Sequence, residues 1–214
     1  MTHYPYFTDS IHRFGTDENL LNRYLNALHT GDTALGTFME FLEKAGVADQ
    51  TLVVVVGDHG EAFGRHHQWS HASGIYEENC HVPLILINSK LFHGQRYASV
   101  GGMIDIAPTV LEMLGIRPPQ QQWQGRSLFS THRNDRTYFF SPWSDYLFGY
   151  RDGKIKFLYN ASRDRYEIYD LSRDAEERIN LATDQSQQIR PGVSRLAAWV
   201  QYQDRLFRRW MTNR

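Results

Sequence analysis

The sequence predicts an α/β protein that ends in a small antiparallel sheet and a closing helix. Two runs, TLVVVV (residues 51–56) and VPLILIN (residues 82–88), are apolar on both faces. That is the pattern of strands inside a parallel sheet covered by helices. Helical patterns flank them. Over residues 24–44 apolar side chains recur at Leu25, Leu28, Leu35, Phe38, Met39 and Leu42, with Gly46 as a stop. Asp105 can cap a second helix running to Leu114, with Pro108 tolerated in its first turn. The order helix, strand, long loop, strand, helix is α/β organisation. Four short aromatic runs follow, over residues 138–140, 146–150, 154–159 and 166–171. Asp152-Gly153 is a hairpin turn between two of them. Residues 194–211 then carry Leu196, Trp199, Val200, Gln203, Leu206, Phe207 and Trp210 along one helical stripe.

The 214 residues are 41% hydrophobic and 14% aromatic, enough for one sizeable core with a small satellite. The Pro- and Gln-rich stretch at 118–124 is the expected boundary, dividing the chain into 1–120 and 121–214. A net charge of -1 points away from nucleic acid and membrane surfaces as partners. The single cysteine, Cys80, can form no intrachain disulfide. The longest apolar run, residues 52–56, is far short of a membrane span. MTHYPYFTDS has no basic region and no apolar stretch, so it does not read as a signal peptide; it reads as a segment from inside a protein.

The chemistry concentrates between the two strands. Five of the ten histidines lie there, with Asp58, Glu61, Glu77 and Glu78. Ligands of open α/β sheets bind beyond the carboxyl ends of strands, where Asp58 and His59 stand directly after VVVV. Aspartate with a neutral imidazole is a sensible partial metal shell. Gly57 and Gly60 let the backbone bend around them. A solvated turn fits the same residues. His67 and His71 are four apart, but Gly64 and Ser70 argue against a helix, and HExxH is absent. Glu77 and Glu78 suit a solvated face or a helix cap. Cys80 runs into a strand and reads as core filler rather than a reactive thiol.

Together these residues resemble the sulfatase branch of the alkaline phosphatase superfamily, which includes sulfatases, phosphonate monoester hydrolases, lipoteichoic acid synthases and phosphoethanolamine transferases. TLVVVVGDHGEAFGRHHQW is similar to that family's strand followed by DHGE-x-x-G-x-H. GIYEENCHVPLIL resembles its YEE-x-x-x-VPLI segment. MIDIAPTVLEMLGI and GRSL resemble the D-x-x-PT-x-L helix and the G-x-SL turn. YEIYDLSRDAEERINLA resembles ELYDL-x-x-DP-x-E-x-x-NLA, with Ala175 in place of proline.

The resemblance implies part of an alkaline-phosphatase-like sheet with flanking helices. It also implies one divalent metal ion held by Asp58 and His59: calcium as in sulfatases, or manganese or zinc as in the transferases. It assigns His71 to the anion or the leaving oxygen. THYPY resembles the H-x-P segment, which would put His3 on the sulfuryl or phosphoryl oxygens. His66 would play a supporting role, and His67 and His81 none. The substrate it implies is a sulfate or phosphate ester. The family's nucleophile and its early acidic metal ligands have no match in these residues. The expectation is therefore the C-terminal portion of such an enzyme, inactive alone, whose missing N-terminal half is supplied in cis or in trans. The alternatives are a phosphoglycerol or phosphoethanolamine transferase or phosphodiesterase of the same superfamily, and a non-catalytic zinc-binding or interaction module. Full-length members often act outside the cytoplasm, some tethered to membranes.

Overall fold

A computed structural model describes residues 3, 5–6, 14–15, 19–116, 123–182, 187 and 189–212. The expected boundary at 118–124 falls largely outside the described residues, as do Thr2 and Tyr4 of the H-x-P segment. The chain forms two compact units. The first comprises residues 1–57, 63–65 and 82–96; the second comprises 58–62, 66–81 and 97–214.

In the first unit α1 spans Leu20–Lys44. The side chain of Asn19 caps it by accepting from the Leu21 and Asn22 amides. At its other end Gly46, at φ 69°, takes the left-handed turn. The Val47 amide bonds the Leu42 carbonyl and the Gly46 amide bonds that of Glu43, closing a Schellman motif. β1 (Val53–Val56) and β2 (Leu84–Ile87) pair antiparallel, Val53 opposite Ile87, in a two-stranded sheet. The expected parallel interior is thus corrected. The long connection between the strands brings the chain back in the opposite direction, and Val56 and Ile85 are 39% and 50% exposed. Phe38 and Phe41 of α1 are also exposed. A cavity of about 320 Å³ remains between Met39 and Leu42 of α1 and Val53 and Leu86 of the strands.

In the second unit a four-stranded antiparallel meander follows the aromatic runs: β3 (Arg136–Ser141), β4 (Leu147–Asp152), β5 (Ile155–Asn160) and β6 (Arg165–Asp170), in that order. Gly153, at φ 56°, makes the β4–β5 turn. Strand alternation sends Phe157 and Leu158 to opposite faces, and both faces are covered. On one, Tyr150, Phe157 and Ile168 pack with Leu196 of the last helix, α4 (Ile189–Thr212). A Cβ on Gly192 would sit 2.4 Å from the Phe157 ring, so glycine sets that close approach. On the other face, Leu158 and Tyr169 pack with Ile75, which lies just before the one-turn helix α2 (Glu77–Cys80). The expected apolar stripe of the last helix is only half used. Trp199 stacks on Tyr138 at 5.0 Å, but Phe207 and Trp210 stay exposed.

The helix expected from Asp105 is α3 (Ile106–Met113), but the Asp105 carboxylate does not cap it. It accepts instead from the Gly102 and Arg126 amides and pairs with the buried guanidinium of Arg133. Thr109 receives the Leu128 amide. The D-x-x-PT and G-x-SL segments are thereby joined into one knot. No helix among the described residues is long and apolar enough to cross a membrane.

Candidate active site

β1 delivers the chain to Gly57 and then to the loop that carries the titratable residues. Gly57 and Gly60 serve close approach rather than a bend, since neither has positive φ. A Cβ on Gly60 would lie 1.9 Å from the Glu78 carbonyl oxygen, where the Gly60 amide bonds the Asn79 carbonyl at 2.9 Å. This contact pins the DHGE turn against α2.

Asp58 stands out into solvent, its side chain 90% exposed. One of its carboxylate oxygens accepts the His59 amide at 3.0 Å, and the other lies 3.8 Å from His59 Nε2. Nδ1 of His59 is 2.8 Å from the Gly60 carbonyl. A carbonyl only accepts, so Nδ1 carries a proton, and in the neutral ring this leaves the lone pair on Nε2. Ligand atoms each about 2.0–2.4 Å from a shared ion stand roughly 3–4 Å apart. The Asp58 and His59 atoms are already at that spacing, and a carboxylate with a neutral imidazole suits a divalent cation.

His71 stacks on His59, ring centroids 4.0 Å apart and 18° from parallel. Its Nδ1 lies 3.2 Å from the carboxylate of Glu61, which is 11% exposed. The loop therefore brings together three residues singled out from sequence, Asp58, His59 and His71. Glu61, which sequence reasoning passed over, orients the last of them. The signal was its place two residues beyond His59. His3 lies in the first unit, exposed, with its carbonyl accepting the Tyr6 amide at 2.8 Å.

Behind this loop lies a buried ionic network. Glu77 and Glu78, expected on a solvated face or in a cap, have side chains only 13% and 6% exposed. Lys156, fully buried in β5, pairs with Glu77 at 3.0 Å and with the equally buried Glu177 at 2.9 Å. Arg151 reaches the other oxygen of Glu77 at 2.9 Å. Glu177 in turn accepts the Glu77 amide. Burial pushes the Glu177 carboxyl above its ordinary value, opposed by the Lys156 charge. Tyr76 and Tyr169 both donate to Glu167, at 2.8 and 2.6 Å. Cys80 is packed beside this network, and burial pushes its thiol up to about 12, so it is filler, not a nucleophile.

His66 joins the loop to the C-terminal segment. Its Nδ1 is 2.6 Å from Glu78, its Nε2 is 3.0 Å from the Glu177 carbonyl, and its ring stacks on Tyr76. Burial alone would lower its pKa. The Glu78 hydrogen bond, the Glu177 carbonyl and the two negative charges outweigh burial and raise it. A histidine raised in the fold binds its proton more tightly there than in the unfolded chain. Its stabilisation is complete below the ordinary histidine value and is lost as pH rises through the raised one. Urea titrations from pH 6 upward are expected to show stability falling, with a shallower slope in His66→Gln. An unchanged slope would show that this histidine is neutral in the fold.

The fold and the pinned DHGE loop define a member of the alkaline phosphatase superfamily. A family model described as Sulfatase matches residues 2–116, and one for the C-terminal region of N-sulphoglucosamine sulphohydrolase matches residues 64–197. The chain belongs to the sulfatase family. Arylsulfatase K of Xenopus laevis is 35% identical over 89 residues, covering 42% of this chain and 16% of that protein. A solved protein in complex with its substrate D-glucosamine-2-N,6-O-disulfate superposes with a TM-score of 0.69 at 25% identity, over 88% of this chain and 42% of its own. A phosphonate monoester hydrolase from Silicibacter pomeroyi gives 0.66 at 25%, over 91% and 42%. The chain thus spans less than half the length of the relatives it matches.

Proposed function

We propose that this chain is the C-terminal part of a metal-dependent sulfuric ester hydrolase. The observation that carries the proposal is the Asp58–His59 pair at metal-ligand spacing, with His71 stacked beside it and held by Glu61. Asp58 and His59 would hold one divalent cation, calcium by family, with manganese or zinc, which a nitrogen ligand also suits, as the alternatives. Bound there, the ion supplies positive charge that favours an oxygen nucleophile and offsets charge on the ester oxygens. His71 supplies the proton or hydrogen bond for the departing oxygen, and the Glu61 carboxylate aligns its ring for that task. The H-x-P match would assign His3 to the anion by family resemblance alone. The substrate class is a sulfated amino sugar, as in the glucosamine disulfate complex of the structural relative. Since no residue here matches the family nucleophile, covalent catalysis needs the portion that the longer relatives carry. The 25% identity to a phosphonate monoester hydrolase keeps a phosphoester substrate as the second reading.

Two measurements test this. Calorimetric titration with calcium, manganese and zinc should show one site per chain, weakened at least tenfold, about 1.4 kcal/mol, by Asp58→Ala. The purified chain should turn over neither 4-nitrophenyl sulfate nor a phosphodiester. Metal-dependent turnover abolished by Asp58→Ala would overturn the claim that the chain is inactive alone.

A further inference from the structure

We propose that the β3–β4 hairpin tip is a subsite for a neighbouring sugar residue of a sulfated glycan, with Trp143 as its platform. This rests on the sulfatase reading above and deepens it. Trp143 is 79% exposed, Tyr146 60% and Trp69 71%. Single exposed aromatics are ordinary and contiguous ones mark recognition surfaces; Trp143 and Tyr146 share one hairpin tip, between β3 and β4. The tip is nevertheless firmly held. The Tyr146 amide donates to Ser162 Oγ at 2.9 Å, and the Tyr146 carbonyl accepts the Ala161 amide at 2.8 Å. Asp145, 19% exposed, accepts from Asn160 at 2.8 Å and pairs with Arg163 at 2.9 Å. A tip braced on the β5–β6 turn offers its rings without a large ordering cost on binding.

The same hairpin is tied to the catalytic loop. Ser141 Oγ donates to the Ala72 carbonyl at 2.9 Å, and Ala72 follows His71. Trp143 is two residues beyond Ser141, and Trp69 is two residues before His71. Chain geometry then keeps the Trp143 backbone within about 18 Å of that of His71. A short oligosaccharide reaches that far from an ester held at His71.

The chemistry of the patch selects the occupant. Pyranose rings present flat C–H faces that pack on aromatic rings, while their edges need hydrogen bonds. Arg163, 63% exposed and fixed beside the tip by Asp145, adds a guanidinium fork suited to a sulfate group. Aromatic faces beside one arginine fit an anionic sugar better than a lipid surface or a neutral glycan.

The test uses the purified 214-residue chain. A disaccharide containing N,6-O-disulfated glucosamine is titrated, with saturation-transfer NMR and tryptophan fluorescence as readouts, and its unsulfated counterpart is the control. The disulfated sugar should bind with saturation transfer to its ring protons. Trp143→Ala should weaken it at least tenfold, and Arg163→Gln about threefold with a flatter salt dependence. Both positions are exposed, and circular dichroism confirms that the variants fold. Equal binding by wild type and Trp143→Ala, or no ring saturation in wild type, overturns the subsite. A wild-type dimer in sedimentation that Trp143→Ala dissolves overturns it too, assigning the patch to a second copy. Metal titration run alongside separates the two readings. Normal metal binding without sugar binding sinks only the subsite, whereas sugar binding without metal binding sinks only the hydrolase reading.

Discussion

Replacing Lys156 with methionine is expected to cost about 3–5 kcal/mol, the scale for stranding a buried charge. Methionine keeps most of the apolar stem of the lysine while removing the ammonium, which also sits 5.2 Å from the Phe139 ring centroid, so the loss reports mainly charge. Without the ammonium, Glu177 is a fully buried carboxylate with no paired cation among the described residues, and Glu77 keeps Arg151 and His81, the latter at 3.5 Å. Urea unfolding at pH 7 measures the cost, and the melting temperature should fall by ~10 °C. The pH dependence identifies the cause. Burial already raises the Glu177 carboxyl, and loss of Lys156 raises it further. A carboxyl raised in the fold binds more protons than in the unfolded chain, so stability falls as pH climbs from the ordinary glutamate value through the raised one. The deficit of Lys156→Met should therefore shrink in acid, and adding Glu177→Gln should recover most of it. An unshifted midpoint at pH 7 would mean that the ion cluster contributes nothing.

The second large effect is expected at Asp105. Its side chain is 8% exposed, and it pairs with Arg133 at 3.3 Å, whose side chain is equally buried. It also accepts from the Gly102 amide at 3.0 Å and the Arg126 amide at 2.8 Å. Asp105→Ala strands the two amides and leaves Arg133 with the Val100 carbonyl and Asp135 at 3.7 Å, and a loss of about 3–4 kcal/mol is expected. Asp105→Asn keeps an acceptor but not the charge, and should fall between alanine and wild type. Hydrogen exchange gives the specific readout, since the Gly102 and Arg126 amides should lose protection before the β4 and β5 amides do. Uniform loss across the unit would mean that the knot around Asp105 has no local role.

Lys156 and Asp105 also show where sequence reading stops. Lys156 sits within KIKFLYN, whose apolar neighbours mark a strand. Alternation along that strand puts Lys156 on the same face as Leu158. Nothing local says that this face is covered, or that two glutamates more than twenty and seventy positions away arrive to neutralise it. Asp105 precedes a helical pattern, and a helix cap is the nearest use for its carboxylate. The structure assigns it instead to the nearby Gly102 amide, to the Arg126 amide of a distant turn and to Arg133. The Glu177 segment was recognisable as a pattern, yet its partners in β5 and at His66 are long-range and leave no periodic trace.

The loop divides in the same way. That Asp58 and His59 follow an apolar strand, and that a metal suits them, is readable from their order along the chain, because a strand end fixes where the next two residues start. That His71 stacks on His59, and that Glu61 rather than a more distant residue orients it, depends on how the loop folds back on α2 through the close contact at Gly60. The elements and their order were legible along the chain, since propensity and periodicity act over a few residues, and the family was legible as a resemblance of motifs. The antiparallel pairing of β1 with β2, the burial of Glu77 and Lys156, and the exposure of Phe207 and Trp210 emerge from the folded chain alone. Those outcomes depend on what covers each face, and a face is covered by residues far away along the chain.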